Sequence, residues 1–170
     1  MKVLYLLRHA KSSWKDASLD DHDRPLAKRG RRAADAMAGY LESNGIRPAL
    51  VLCSSALRAT QTLDGVFRGS PRPEVEVEPG LYGASEDEIM NRIQLVPDSV
   101  PSVLVIGHNP GLHDLALSLA GSGVGIPRLR EKFPTAALVA LRFASSRWSG
   151  IGAGDADLID FVRPKDLSPS

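Results

Sequence analysis

Apolar and polar positions follow two rhythms along this chain. Uninterrupted apolar runs occur at Val3–Leu7, Leu50–Cys53 and Val103–Ile106, the pattern of strands covered on both faces. Arg8 to Pro25 is polar and reads as a loop carrying Asp20-Asp21-His22-Asp23. Gly30, Ala34, Met37 and Leu41 then recur at helical spacing, with Pro25 near the start and Gly45 past the end, which predicts a helix. Ser54-Ser55 precedes Ala56, Leu63, Val66 and Phe67, so these serines are expected to cap a second helix. Ser70-Pro71-Arg72-Pro73 breaks it. Val75 and Val77 alternate with glutamates, as in a half-exposed strand. Ser85 and Glu88 form a capping-box pattern that opens a short helix through about Leu95. Leu112, Leu115, Ala116 and Leu119 mark another helix, and Ala136–Phe143 and Leu158–Val162 read as later strands.

Strands alternating with helices predict an α/β fold, a three-layer sandwich with a mostly parallel central sheet flanked by helices. No repeat or long linker divides the 170 residues, so a single domain over 1–170 is expected, domains running to about 100–200 residues. In such sheets ligands bind beyond the carboxyl ends of the strands. Three candidate strand ends here carry Arg8-His9, Ser54 leading to Arg58, and His108. Two arginines and two histidines are therefore expected at one edge.

Charge narrows the choice of ligand. Lys and Arg total 21 against 20 Asp and Glu, a balance with no global pull toward nucleic acid or an anionic membrane. No apolar run approaches the roughly 18 residues of a membrane span. Val3–Leu7 is shorter than the roughly 7–15 residues of a signal-peptide core, and Arg8 closes it. The lone Cys53 allows no internal disulfide and fits a reducing compartment. A soluble, cytoplasmic protein is expected, with no nucleic-acid or membrane partner.

Two arginines with two histidines suit a phosphoryl group. Arginine presents a fixed fork of donors to phosphate oxygens. Neutral histidine can attack phosphorus, and protonated histidine can neutralise developing charge. The helix after His108 would add free backbone N–H groups.

Leu4-Tyr5-Leu6-Leu7-Arg8-His9-Ala10 resembles the opening motif of the histidine phosphatase superfamily, which includes the cofactor-dependent phosphoglycerate mutases. Ser54-Ser55-Ala56-Leu57-Arg58-Ala59-Thr60-Gln61-Thr62 resembles its second motif and Val105-Ile106-Gly107-His108-Asn109 its third, all in order. The short length, Leu81-Tyr82-Gly83-Ala84-Ser85, His108-Asn109-Pro110-Gly111 and Phe133-Pro134-Thr135-Ala136-Ala137 are similar to the SixA-type phosphohistidine phosphatases.

The resemblance implies a phosphoglycerate mutase-like fold and metal-independent, cofactor-free hydrolysis. His9 would be the nucleophile that becomes phosphohistidine, with Arg8, Arg58 and His108 binding phosphoryl oxygens and stabilising the transition state. The backbone after His108, at Asn109, would supply a further donor. Lys15 stands where the mutases carry an asparagine that touches phosphate, so it is a substrate contact or a solvated lysine. Ala10 replaces the superfamily's usual glycine. The glutamate acid of the mutases has no secure counterpart, and Glu78, Asp21 and Asp23 are the candidates.

Superfamily members that enclose small metabolites usually carry a long lid, whereas the connection around Ser70–Pro73 is short. The expected substrate is therefore phosphohistidine on a protein. The alternatives are a phosphatase or mutase for small phosphate esters, and a phosphate-binding module without turnover. Asp20–Asp23 has a hard-metal composition but no ligand spacing. Lys28-Arg29-Gly30-Arg31-Arg32 reads as a solvated helix start able to meet an acidic partner. Cys53 is expected to be an inert core thiol, and His113 to pack or cap. Trp14 and Trp148 are candidates for the pocket mouth, with core or edge packing as the default.

Overall fold

The computed structural model describes residues 1–167. Its strands are β1 (Lys2–Arg8), β2 (Leu50–Ser54), β3 (Glu74–Glu78), β4 (Ser102–Gly107), β5 (Ala120–Ser122), β6 (Leu138–Phe143) and β7 (Ala156–Val162). Its helices are α1 (Lys28–Ser43), α2 (Leu57–Val66), α3 (Glu86–Gln94), α4 (Gly111–Leu119) and α5 (Ile126–Glu131). One seven-stranded sheet runs in the order β3-β2-β4-β1-β6-β7-β5. Only β6 opposes the others, pairing antiparallel with both β1 and β7. The α/β architecture with a mostly parallel sheet agrees with the periodicity.

Alternation along the strands sorts side chains onto the two faces. Val51, Cys53, Leu104 and Ile106 pack with Ala34, Met37 and Leu41 of α1 and with Ala59, Leu63 and Val66 of α2. Leu50, Leu52, Val103 and Val105 face the other way, against Ile89 and Ile93 of α3 and Leu112, Leu115 and Leu119 of α4. Each fully buried Leu or Ile contributes roughly 1.5–3 kcal/mol, so the two apolar faces hold the layers together.

Local signals explain most element ends. Gly45 takes φ +62° after α1. Its N–H bonds the Glu42 carbonyl at 3.2 Å and the Ile46 N–H bonds Leu41 at 2.9 Å, a Schellman closure that needs glycine's freedom. Ser85 and Glu88 complete the expected capping box on α3. At Gly30 a Cβ would lie 2.1 Å from the Lys11 carbonyl oxygen, so only glycine lets α1 press against the loop leaving β1.

The expected cap on α2 is corrected. The N-cap is Ala56, with no side-chain cap bond. Ser54 and Ser55 instead bond two histidines, described below. The three residues of β5 and six of α5 were not anticipated: both are too short for a periodic signal, and β5 depends on β7 for its partners. Trp148 is fully buried in the core rather than at a pocket mouth. Cys53 is also buried, and that burial pushes its thiol up to about 12, as expected of an inert thiol. No helix of the described residues is long and apolar enough to cross a membrane.

Candidate active site

Sheet register brings the chemistry together. Arg8 at the end of β1 pairs with Gly107 at the end of β4, and Cys53 pairs with Ile106 one step earlier. The parallel strands thus deliver His9, His108 and the start of α2 to one edge. A cavity of about 330 Å³ opens there, lined by Arg8, His9, Arg24, Arg58, His108 and Asn109 among others. The ring centroids of His9 and His108 lie 5.0 Å apart.

His9 has a defined tautomer. Its Nδ1 lies 2.8 Å from the Ala10 carbonyl oxygen. A carbonyl only accepts, so Nδ1 carries the proton and Nε2 keeps its lone pair. Burial, reinforced by His108, Arg58 and Arg8 against the Ala10 bond, brings the His9 pKa down to about 3. Below it, Ala10 N–H donates to Thr62 Oγ1 at 2.9 Å, and Thr62 donates to the Arg58 carbonyl at 2.7 Å. That buried threonine locks the loop after β1 to α2.

His108 is held from behind. Its Nε2 lies 2.7 Å from Ser54 Oγ, which accepts the Ala56 N–H at 3.3 Å. The Ser54 hydroxyl can donate to Nε2 while it accepts the Ala56 N–H, the arrangement that places the His108 proton on Nδ1. Burial, then Arg58, lowers its pKa to about 4. Ser55 Oγ lies 2.8 Å from Nε2 of His22.

The arginines are fixed through backbone and carboxylate. Arg8 donates to the Phe133 carbonyl at 3.1 Å, and Asn109 Nδ2 reaches the same oxygen at 2.9 Å. Arg8 Nε and Asn109 Oδ1 are buried with no hydrogen-bond partner among the described residues. Unpaired buried polar atoms are costly, and both residues line the cavity. Arg58 donates to the carbonyl of Asp21 at 2.7 Å and to its carboxylate at 3.0 Å.

Asp21 and its partners carry no local sequence signal for these contacts. Tyr82 donates to the Asp21 carboxylate at 2.6 Å, and Arg24 at 2.9 Å. These bonds, Tyr82's first, hold the carboxyl well below its usual range, so Asp21 stays ionised. Arg24 is buried and stacks 3.2 Å from the Trp14 ring centroid, which puts Trp14 at the cavity rim. Lys15 is exposed and outside that lining. Asp23 is exposed beside His22. Glu78 is clamped by Arg92 Nε at 2.6 and 2.8 Å. His113 packs on Phe133 and bonds the Leu129 carbonyl at 2.6 Å.

The lowered histidine pKa values give a direct test. At pH 5.5 an ordinary imidazole is roughly nine-tenths protonated, whereas His9 and His108 are expected to stay neutral in ¹⁵N NMR. Between about pH 6.5 and 4 the unfolded chain binds more protons than the folded one, so stability falls as pH falls. The thermal midpoint should drop over that range, and less steeply in His9→Asn. His9 and His108 titrating near 6.5 would contradict the burial argument.

Two forked cations and two neutral histidines gathered at one sheet edge have the chemistry that suits a tetrahedral oxyanion. The chain belongs to the histidine phosphatase superfamily, branch 1, whose model matches residues 4–92. An uncharacterized protein of Mycobacterium tuberculosis is 39% identical over 94% of this chain and 100% of its own. Among solved structures, a protein assigned as the phosphohistidine phosphatase SixA of Nakamurella multipartitia superposes with TM-score 0.81 at 30% identity, covering 96% of each chain. The protein histidine phosphatase SixA complexed with tungstate gives TM-score 0.79 at 27% identity, covering 98% of this chain and 99% of its own. These likenesses support phosphatase activity.

Proposed function

We propose that this protein removes phosphate from phosphohistidine on other proteins, through a covalent phosphohistidine at His9. The observation that carries the reading is the His9 tautomer: Nδ1–H is tied to the Ala10 carbonyl, which leaves Nε2 as the nucleophilic nitrogen, beside Arg8, Arg58 and His108. In the first step Nε2 forms a bond to phosphorus while the P–N bond to the substrate imidazole breaks. The departing imidazole takes up a proton. In the second step water attacks the phosphorylated His9, inorganic phosphate leaves and the free imidazole returns.

Arg8 and Arg58 would hold the phosphoryl oxygens, and His108 would donate from Nδ1 as charge grows on them. Asn109 would border the same group. Tungstate bound to the SixA structure is a tetrahedral oxyanion of the same shape class. The lone buried Cys53 fits action in a reducing compartment such as the cytoplasm.

Against the ester-cleaving alternative, Glu78 is clamped by Arg92, Asp21 is held ionised and Asp23 is exposed beside His22. The test is phosphate release from a phosphohistidine-bearing peptide with EDTA present and no metal added. Wild type is expected to release stoichiometric phosphate over many turnovers. Tight phosphate binding without any release would favour a binding module and reject the reading.

A further inference from the structure

A second cavity, of about 420 Å³, lies beside the phosphoryl site and shares Lys11 and Thr135 with it. Its lining draws on the loop after β1, on α1, on α5 and on the segment after β7. It holds Lys11, Arg29, Arg128, Lys132, Arg163 and Lys165 against a single lining carboxylate, Glu131. The neighbouring Asp166 is shared between Arg163 at 2.7 Å and Arg128 at 3.5 Å. Lys11, Arg29 and Lys132 have no carboxylate within salt-bridge distance among the described residues.

Local electrostatics disfavours this arrangement. α1 opens with Lys28, Arg29, Arg31 and Arg32 and has no acidic residue in its first turn. Cations there oppose the helix macrodipole. The concentration of like charge in one concavity attracts anions.

The form of the groove separates it from the phosphoryl cavity. Arg8 and Arg58 are bound by backbone carbonyls and a carboxylate, a preorganised set. Arg29, Lys132 and Lys165 are exposed side chains on three different elements, suited to an extended anion rather than a compact one. On the other side of His108 and Asn109, the surface carries Glu86, Asp87 and Asp114. That side repels the same ligand, so the charge separation across the mouth gives an anionic chain one direction of approach.

We propose that the basic groove binds an acidic segment of the protein that carries the phosphohistidine, lying to one side of that residue in its sequence. This rests on the phosphohistidine reading above and adds the kind of partner. The groove would raise the occupancy of the substrate, while Arg8, His9, Arg58 and His108 act on the phosphoryl group alone.

The experiment uses three phosphohistidine peptides of equal length, with four glutamates before the phosphohistidine, four after it, or glutamines throughout. Wild type should cleave one acidic peptide with KM roughly tenfold below that of the glutamine peptide, as three or four exposed ion pairs of about twofold each would give. The other acidic peptide should show no such gain. The variant Arg29→Gln/Lys132→Gln/Lys165→Gln should lose the gain with kcat within about twofold. Its turnover of the glutamine peptide and of p-nitrophenyl phosphate should be unchanged, which also reports intact folding. Raising salt from about 50 to 500 mM should erase the preference in wild type, because exposed charges are screened. Equal KM for all three peptides would overturn the groove and leave the phosphohistidine reading standing. Equal loss on every substrate in the triple variant would also overturn it. No cleavage of any peptide would reject both.

Discussion

Replacing His9 with asparagine should lower turnover by roughly 10⁴-fold or more, the scale seen when a covalent nucleophile is removed. The asparagine amide can still donate to the Ala10 carbonyl that His9 Nδ1 contacts at 2.8 Å, so the loop after β1 should keep its shape. What disappears is the Nε2 lone pair. Denaturant quenching of wild type during turnover should trap a phosphoryl group that survives base and is lost in acid, because protonation of imidazole makes it a good leaving group. His9→Asn should carry no label. His108→Ala should still become labelled, with a loss of about 10²–10³ typical of a single electrostatic donor. Equal labelling of wild type and His9→Asn would move the nucleophile elsewhere.

The second large effect concerns the leaving group. An alkyl phosphate expels an oxygen whose conjugate acid is about as weak as water, with a pKa of roughly 15.7. Phosphohistidine expels an imidazole whose nitrogen takes up a proton near pH 6.5. General acid catalysis is worth about 10²–10⁴ in rate, so an enzyme without a placed acid should favour phosphohistidine or phosphoramidate over glycerol phosphate by that factor in kcat/KM. Aryl phosphates should fall between. Glu78 is engaged by Arg92 through both carboxylate oxygens, so Glu78→Gln should change kcat/KM by less than about twofold on every substrate. Efficient phosphoglycerate turnover that collapses in Glu78→Gln would reject this account and favour an ester substrate.

These expectations draw unequally on the linear chain. The run Val3–Leu7 already implied a strand buried on both faces, and the spacing of Ala34, Met37 and Leu41 already implied a helix with one apolar side. Both patterns record burial, which repeats every two or about 3.6 residues and is visible locally. The strand ends likewise put Arg8, His9, Arg58 and His108 at one edge, because a mostly parallel sheet sends its carboxyl ends the same way. The motif around Ser54 misled for a local reason: serine before a helix usually caps it, whereas here it serves His108.

By itself, then, the sequence determined the layers, the sheet edge and the four residues gathered there, since each follows from periodicity or from direction along a strand. Tertiary structure decided the state of those residues. The Ala10 carbonyl settles which His9 nitrogen is free. Asp21 reaches Arg58 across 37 residues and Tyr82 across 61, and Arg92 engages Glu78 across 14. Arg24 and Trp14 reach the cavity rim through a loop with no periodicity to announce them. The basic groove is assembled from four separate segments, none of them notable alone except the opening of α1. Hydrogen bonds and charge pairs depend on distances in space between residues far apart in the chain, and no repeat along the sequence encodes them.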